Sequence, residues 1–203
     1  MEDLPEILHP HITSDQLHLL KRYALELQRV NVTHNLISRK DIAFVWEHHI
    51  IPSLLFLGWW RFPGGAVVLD IGTGGGLPGI PLAIVHPQTS FLLIDSTRKK
   101  VEAVRSIVKE LGLSAQVEVQ WGRAELLSAR FPFIVGRAVA PLPRFLRWAE
   151  KCLLSEGTVY YYTGESADPL PPQWEGKFYS FRKLVPQNDY IKGKGIFRLR
   201  LRH

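Results

Sequence analysis

The stretch that most constrains this chain is Val67-Val-Leu-Asp-Ile71, followed at once by Gly72-Thr-Gly74-Gly75-Gly76-Leu-Pro-Gly79. A short apolar, β-branched run of this kind reads as a buried strand. Glycines just beyond it let the backbone turn tightly and approach a ligand, because no Cβ intervenes. Ligands of open α/β sheets bind at the carboxyl ends of the strands, where such a loop falls. Two cofactor classes fit. Gly74-x-Gly76-x-x-Gly79 matches the dinucleotide fingerprint, in which a helix N-terminus meets a pyrophosphate. Asp70-x-Gly72-x-Gly74-x-Gly76 matches the pattern of S-adenosylmethionine-dependent methyltransferases, whose cofactor has no phosphate to cradle but carries an ammonium and a sulfonium centre. An anion two residues before the glycines is poor company for a pyrophosphate. Asp70 therefore favours the methyltransferase reading and is expected to face the cofactor with Gly72 and Gly74. Asp95, at the end of a second apolar run from Phe91, suits both classes, since a carboxylate there accepts hydrogen bonds from ribose hydroxyls. A turn with no ligand is the third reading.

The rest of the chain sets this motif in context. Thr13 to Val30 reads as an amphipathic helix, with Thr13 or Ser14 as its cap and Leu17, Leu20, Ala24 and Leu27 on one face. Asn31 to Asp41 is polar and loop-like, and a second helical stretch from Asp41 is broken or restarted by Pro52. After Arg61-Phe-Pro-Gly-Gly65 the pattern becomes strands alternating with helices: Pro78–Val85, Arg98–Leu111 and Pro143–Leu154 as helices, Gln116–Trp121, Phe133–Val135 and Thr158–Tyr162 as further strands. Val101, Val104, Val108 and Leu111 form the apolar stripe of the middle helix. Strands of this kind, buried on both faces, predict a parallel sheet in an α/β domain. The expected organisation is a helical extension over residues 1–63 and an α/β domain over 64–203, with Asp168-Pro-Leu-Pro-Pro172 a loop.

Charge is unevenly placed. Of the net +6, residues 1–63 carry 6 basic against 7 acidic side chains, residues 64–176 carry 11 of each, and residues 177–203 carry 8 basic against Asp189 alone. The last run, Ile196-Phe-Arg-Leu-Arg-Leu-Arg202, alternates. As a strand it buries Phe197, Leu199 and Leu201 and sets Arg198, Arg200 and Arg202 in a row in solvent. The row is either a solvated strip that discourages edge aggregation or a line of phosphate contacts on a nucleic acid. No long helix separates these strands, so they are expected as antiparallel additions at one side of the sheet. Cys152, the single cysteine, excludes disulfides and any cysteine-based zinc site. Its apolar helical setting reads as core rather than as a nucleophile. His48-His49 has no acidic partner at metal-ligand spacing, so no metal is expected. The segment Ile50 to Trp60 is too short to span a bilayer. The opening residues lack a signal-peptide pattern, so a cytoplasmic protein is expected, and the expected state is a monomer.

At this resolution of motifs the chain resembles the RsmG (GidB) methyltransferases of bacterial small-subunit ribosomal RNA. Leu69-Asp-Ile-Gly-Thr-Gly-Gly-Gly-Leu-Pro-Gly-Ile-Pro-Leu-Ala83 is similar to the family's signature turn, including its Pro-Gly-Ile-Pro continuation. Leu93-Ile-Asp-Ser96 with Lys99-Lys100, Arg123-Ala-Glu125, Gly136-Arg-Ala138, Asn35-Leu36 and His49 are similar to further family segments. The resemblance implies a Rossmann-like class I methyltransferase sheet with an N-terminal helical extension, S-adenosylmethionine as cofactor, and methylation of N7 of one guanine in 16S rRNA. It implies cofactor contacts at Gly72, Leu77, Ala124, Glu125 and Arg137, the last beside the transferring methyl, and it brings His49 toward the RNA. Two positions depart from the pattern: Tyr162-Thr163-Gly164 stands where the family usually has Leu-Lys-Gly, and His49-Ile-Ile-Pro52-Ser53 where it often has His-x-x-Asp-Ser.

The chemistry agrees with what the sequence lacks. Guanine N7 carries a lone pair and no proton, so its methylation needs no general base. The residues after the fourth strand, Arg137-Ala-Val-Ala-Pro141, are not the Asn-Pro-Pro-aromatic tetrapeptide suited to exocyclic amines. An RNA-binding module with reduced catalysis and a dinucleotide-dependent oxidoreductase are the alternatives.

Overall fold

Val67–Ile71 sits at the centre of a seven-stranded sheet. The computed structural model describes residues 3–165 and 169–202. Strands β1 (Val67–Ile71), β2 (Ser90–Asp95), β3 (Val117–Trp121), β4 (Phe131–Arg137), β5 (Leu153–Gly164), β6 (Trp174–Ser180) and β7 (Lys194–Leu201) lie in the order β3-β2-β1-β4-β5-β7-β6. The first five are parallel, and β7 runs antiparallel to both β5 and β6. The basic tail is thus an antiparallel addition at one side, as its lack of a crossover helix implies. Strand order reverses at β1, between β2 and β4, so the glycine turn that follows β1 opens into the crevice of an open α/β sheet.

Helix α1 (Ser14–His34) begins with a capping box: Gln16 N–H donates to Thr13 Oγ1 at 3.2 Å, and Thr13 N–H donates to Gln16 Oε1 at 3.0 Å. It runs four residues past the expected Val30. Asn35 stops it in the left-handed conformation, and the buried Asn31 Oδ1 accepts from Ile37 N–H at 2.8 Å, so the polar residues that read as loop form its closing turn. Its buried stripe holds Leu17, Leu20, Ala24 and Leu27, together with Tyr23.

Residues 42–58 wind through a 3₁₀ turn, a π turn (Trp46–Ile50), helix α2 (Ile51–Leu54) and another 3₁₀ turn. Pro52 has no N–H to give to the preceding turn, which accounts for the break in regular α geometry. Helices α3 (Gly79–Val85), α4 (Arg98–Glu110) and α5 (Leu142–Cys152) connect the parallel strands. The α4 stripe of Val101, Val104 and Val108 is buried, and Leu111 just past its end is buried with them. The boundary between α5 and β5 is also corrected: α5 ends at Cys152 and Leu153 already belongs to β5, which the chain enters without a loop. Of the antiparallel strands expected in the tail, only β7 had been delimited from the sequence, and β6 is the other. Asp168, in the expected proline-rich loop, lies outside the described residues.

The helical residues 4–62 and one face of the sheet share a single apolar core that runs from Leu8, Leu20 and Phe56 to Val68, Phe91 and Ile196. Burying a leucine or phenylalanine there contributes roughly 1.5–3 kcal/mol. Trp60 packs on Tyr160 in the same layer, with ring centroids 5.0 Å apart. Polar ties reinforce it, Tyr23 Oη donating to Gly75 O at 2.9 Å and Tyr162 Oη to Ser53 O at 3.0 Å.

Candidate active site

The glycine turn is held from three sides. Gly72 and Thr73 N–H both donate to Ile94 O on β2, at 2.9 and 3.1 Å. Gly74 N–H donates to Asp95 Oδ2 at 3.0 Å, and Tyr23 reaches from α1 to Gly75 O. Gly72 sits at φ 70° and Gly74 at φ 57°, where a side chain is strained. A Cβ on Gly72 would come within 2.2 Å of Val139 Cγ2, whereas one on Gly74 would meet nothing closer than Leu36 O at 3.9 Å, and both glycines border an open space.

That space is a cleft of about 590 Å³ at the carboxyl ends of β1, β2, β3 and β4. Gly72, Gly74, Leu77, Asp95, Ala124, Glu125 and Arg137 line it together. Sequence reasoning missed Ile37, Lys100, Arg144 and Trp148, which also line it. Ile37 stands in the segment dismissed as loop, and Arg144 and Trp148 lie on the α5 face toward the cleft, a helix that offers no motif. Tyr23 was missed as well, although it follows Leu20 by three residues on the stripe already identified.

Asp70 is corrected. Its carboxylate does not reach the cleft. It is fully buried beneath the turn, where Oδ2 accepts from Thr73 Oγ1 at 2.7 Å and from Gly79 N–H at 3.0 Å, while Oδ1 has no partner among the described residues. Residue 70 lies on a central strand covered on both faces, so its side chain points into protein whichever way it turns. Burial pushes its pKa up to about 7, against the lowering effect of its two hydrogen bonds. The unfolded chain ionises this group near 3.8 and the folded chain near 7, so in between the folded state holds a proton that the unfolded state has released. Stability therefore falls as pH rises across that window, by about 4 kcal/mol at most, and is level above it. Asp70→Asn keeps an oxygen for Thr73 and Gly79 and removes the titration. Its melting temperature relative to wild type is expected to climb between pH 4 and pH 7; parallel melting curves over that range would refute the assignment.

Asp95 behaves differently. It is held by Gly74 N–H and, through Oδ1, by Thr97 N–H at 2.8 Å, which leaves lone pairs on both oxygens toward the cleft. Cys152 is wholly buried, its thiol donates to Ala124 O, and burial pushes its pKa up to about 11, so it is no nucleophile.

A second cavity, of about 380 Å³, adjoins the first and shares Arg137 and Ala138 with it. His48, His49, Pro52, Tyr162, Thr163, Tyr190 and Lys194 complete most of its wall. Arg137 Nη1 donates to His49 O at 3.1 Å and Nη2 to His49 Nδ1 at 2.6 Å. Because Nδ1 accepts, the ring proton sits on Nε2, which is buried without a partner among the described residues. Burial, then the Arg137 charge, lower the His49 pKa to about 3 and keep the ring neutral. Next to it, His48 stacks on Tyr190 with ring centroids 3.5 Å apart, and Lys194 Nζ lies 3.1 Å from the centre of the Tyr190 ring. Asp41 Oδ1 anchors His48 Nδ1 at 3.1 Å.

The tail arginines are not brought to either cavity. β7 runs away from the cleft, so Arg198 lies four residues, or about 13 Å, beyond Lys194 and Arg200 about 20 Å beyond it. The expected row in solvent is also corrected. β6 covers β7, Arg198 is half-buried against Tyr160, Arg200 Nε donates to Thr158 Oγ1, and Arg200 and Arg202 remain exposed.

Glycines at a strand end, a carboxylate at the end of the next strand and a cleft of this size fit an adenosyl cofactor without phosphate groups. Solved structures share the sheet. The chain superposes on MtNAS in complex with MTA and tNA with a TM-score of 0.63 at 16% identity, covering 91% of this chain and 71% of that one. It superposes on NcsB1, an O-methyltransferase from neocarzinostatin biosynthesis in complex with S-adenosylmethionine, with a TM-score of 0.54 at 16% identity, covering 68% and 49%. These likenesses show the shared fold, an open α/β sheet with a cleft at the carboxyl ends of its parallel strands.

The sequence profile of the GidB family, described as rRNA small subunit methyltransferase G, matches residues 16–170. Ribosomal RNA small subunit methyltransferase G of Chlorobaculum tepidum is 43% identical over 155 residues, 76% of this chain and 71% of that protein. The protein of the same name from Flavobacterium johnsoniae is 34% identical over 200 residues, 95% of each. The chain belongs to the GidB family and is an S-adenosylmethionine-dependent methyltransferase. The dinucleotide alternative is thereby set aside. Among the described residues no helix is long and apolar enough to cross a membrane, and no group of three or more His, Cys, Asp or Glu is placed to hold a metal ion.

Proposed function

We propose that this protein methylates N7 of a guanine in bacterial 16S rRNA, with the target base admitted to the second cavity. The observation that carries this reading is the junction of the two cavities at Arg137 and Ala138, which sets a partly aromatic chamber beside the cofactor cleft. The bound cofactor supplies an electrophilic methyl group on a sulfonium centre. Asp95 is positioned to accept ribose hydroxyls, Ala124 and Glu125 to meet the adenine at the end of β3, and Arg137 to fix the floor between the chambers.

No side chain is asked to remove a proton, since N7 has none, and the residues act by positioning and by excluding water. This suits the chamber, where His49 is neutral and no carboxylate among the described residues lines the wall. The family's usual lysine on β5 is Thr163 here. Lys194, paired across the strands with Gly164, brings an ammonium to the same cavity, which favours an active enzyme over a module with lost catalysis. In this reading residues 1–63 form a helical extension that roofs the domain of residues 64–203, and the protein works as a monomer in the cytoplasm.

The test is methylation of under-modified small subunits, or of their RNA, with labelled cofactor. Label is expected on a single guanine at N7. Label on an exocyclic amine, or on protein, would overturn the proposal.

A further inference from the structure

Away from both cavities, β6 and β7 carry a second basic constellation. Lys177 and Arg198 are direct cross-strand partners, and Arg200 is paired with Glu175 two residues further along. With a side-chain period of two, all four share one face. Like charges set directly opposite one another weaken an antiparallel pair, so Lys177 against Arg198 is a cost that an anion between them would lift. Arg198 Nε is buried with no partner among the described residues, although the guanidinium meets the Tyr160 hydroxyl. Arg200 is braced by Thr158 Oγ1 at 3.1 Å. These side chains and Tyr179 line a cavity of about 200 Å³ in which Glu175 is the one acid among the described residues. Tyr179, partly exposed at the cavity wall, meets the partly exposed Trp60 at 4.7 Å and Trp59 at 5.5 Å between ring centroids. Cations alternating with partly exposed aromatic rings suit a nucleic acid strand, whose phosphates and bases alternate in the same way.

We infer that the Lys177–Arg198–Arg200 cavity binds a backbone phosphate of the substrate RNA and so holds the strand at a second point, about 13 Å from the base chamber. The inference rests on the proposed rRNA substrate. It divides the basic tail: Arg198 and Arg200 act with Lys177 of the neighbouring strand, and Arg202 stands outside the site.

The experiment compares the full chain with its Lys177→Gln and Arg198→Gln variants on small-subunit RNA. Each variant is expected to raise the KM for RNA about fivefold, and to lower the slope of log affinity against log salt by about one. The kcat at saturating RNA and the affinity for S-adenosylhomocysteine are expected to stay at wild-type values. Arg198 is half-buried, so its variant has the greater risk of misfolding; Lys177 is exposed and decides the matter alone if that happens. A Lys177→Gln protein with wild-type KM and salt slope would overturn the site. The RNA assignment would also fall if inorganic phosphate raised the melting temperature of wild type but not of Lys177→Gln while the RNA slope stayed the same. A wild type inactive on the RNA would instead sink the substrate reading, whatever the variants do.

Discussion

Gly72→Asp is expected to raise the dissociation constant for S-adenosylhomocysteine at least about 100-fold and to lower stability by about 3 kcal/mol. Two costs combine. Gly72 sits at φ 70°, where any side chain loses about 1–2 kcal/mol. The added Cβ would also stand 2.2 Å from Val139 Cγ2 and 2.9 Å from Val139 Cβ, so Val139 has to move. Val139 itself lines the cleft, and its displacement takes volume from the place where the cofactor belongs. The contrasting variant is Gly74→Ala. It has a similar φ of 57° but no neighbour within 3.9 Å, and is expected to lose only about 1–2 kcal/mol of stability. Calorimetry and thermal unfolding on the two variants separate backbone strain from crowding. Equal stability losses would show that the Val139 contact is not what Gly72 protects.

The glycine turn was legible because its requirement is steric, and a steric requirement is written into residue type. Asp95 was legible for a related reason: a strand-end carboxylate in this topology stands over the cleft. Asp70 shows where such reading stops. Its charge was read as meant for a cationic cofactor, but charge does not say which way a side chain faces. On a strand buried on both sides, its partners became the local Thr73 hydroxyl and Gly79 N–H rather than a ligand. The same limit applies to the tail. Alternation gave the two faces of β7, with Phe197 and Leu199 buried as expected, but only the pairing with β6 shows that Arg198 faces Lys177 instead of open water. The second cavity was the least legible part. It joins residues 88 positions apart, Arg137 and His49, through a π turn whose irregular winding leaves no periodic trace.

Arg137→Ala is expected to lower kcat/KM by about 10²- to 10³-fold, or about 3–4 kcal/mol of transition-state stabilisation. The side chain lies between the two cavities, and its fork donates to the carbonyl and the Nδ1 of His49. Without it, both acceptors lose their donor in a half-buried setting, each at about 1–3 kcal/mol, and the wall of the base chamber loosens. Arg137→Lys is expected to recover only part of the activity, since a single ammonium does not reproduce the planar fork. A structural role alone would give similar numbers, so the discriminating readout is the titration of His49. Burial and the Arg137 charge both lower its pKa, to about 3 from an ordinary 6.5. The folded protein therefore keeps this ring neutral while the unfolded chain protonates it, and the stability it contributes is lost as pH falls from 6.5 toward 3. Removing Arg137 leaves burial as the main lowering influence. The His49 midpoint, followed by the chemical shift of its ring protons, should then rise toward the ordinary range, more in Arg137→Ala than in Arg137→Lys. The acid limb of the stability curve should begin at the same pH and level off sooner. An unchanged midpoint in the alanine variant would mean that Arg137 does not set the state of this ring, and with it the claim that the two residues act as one unit would fail.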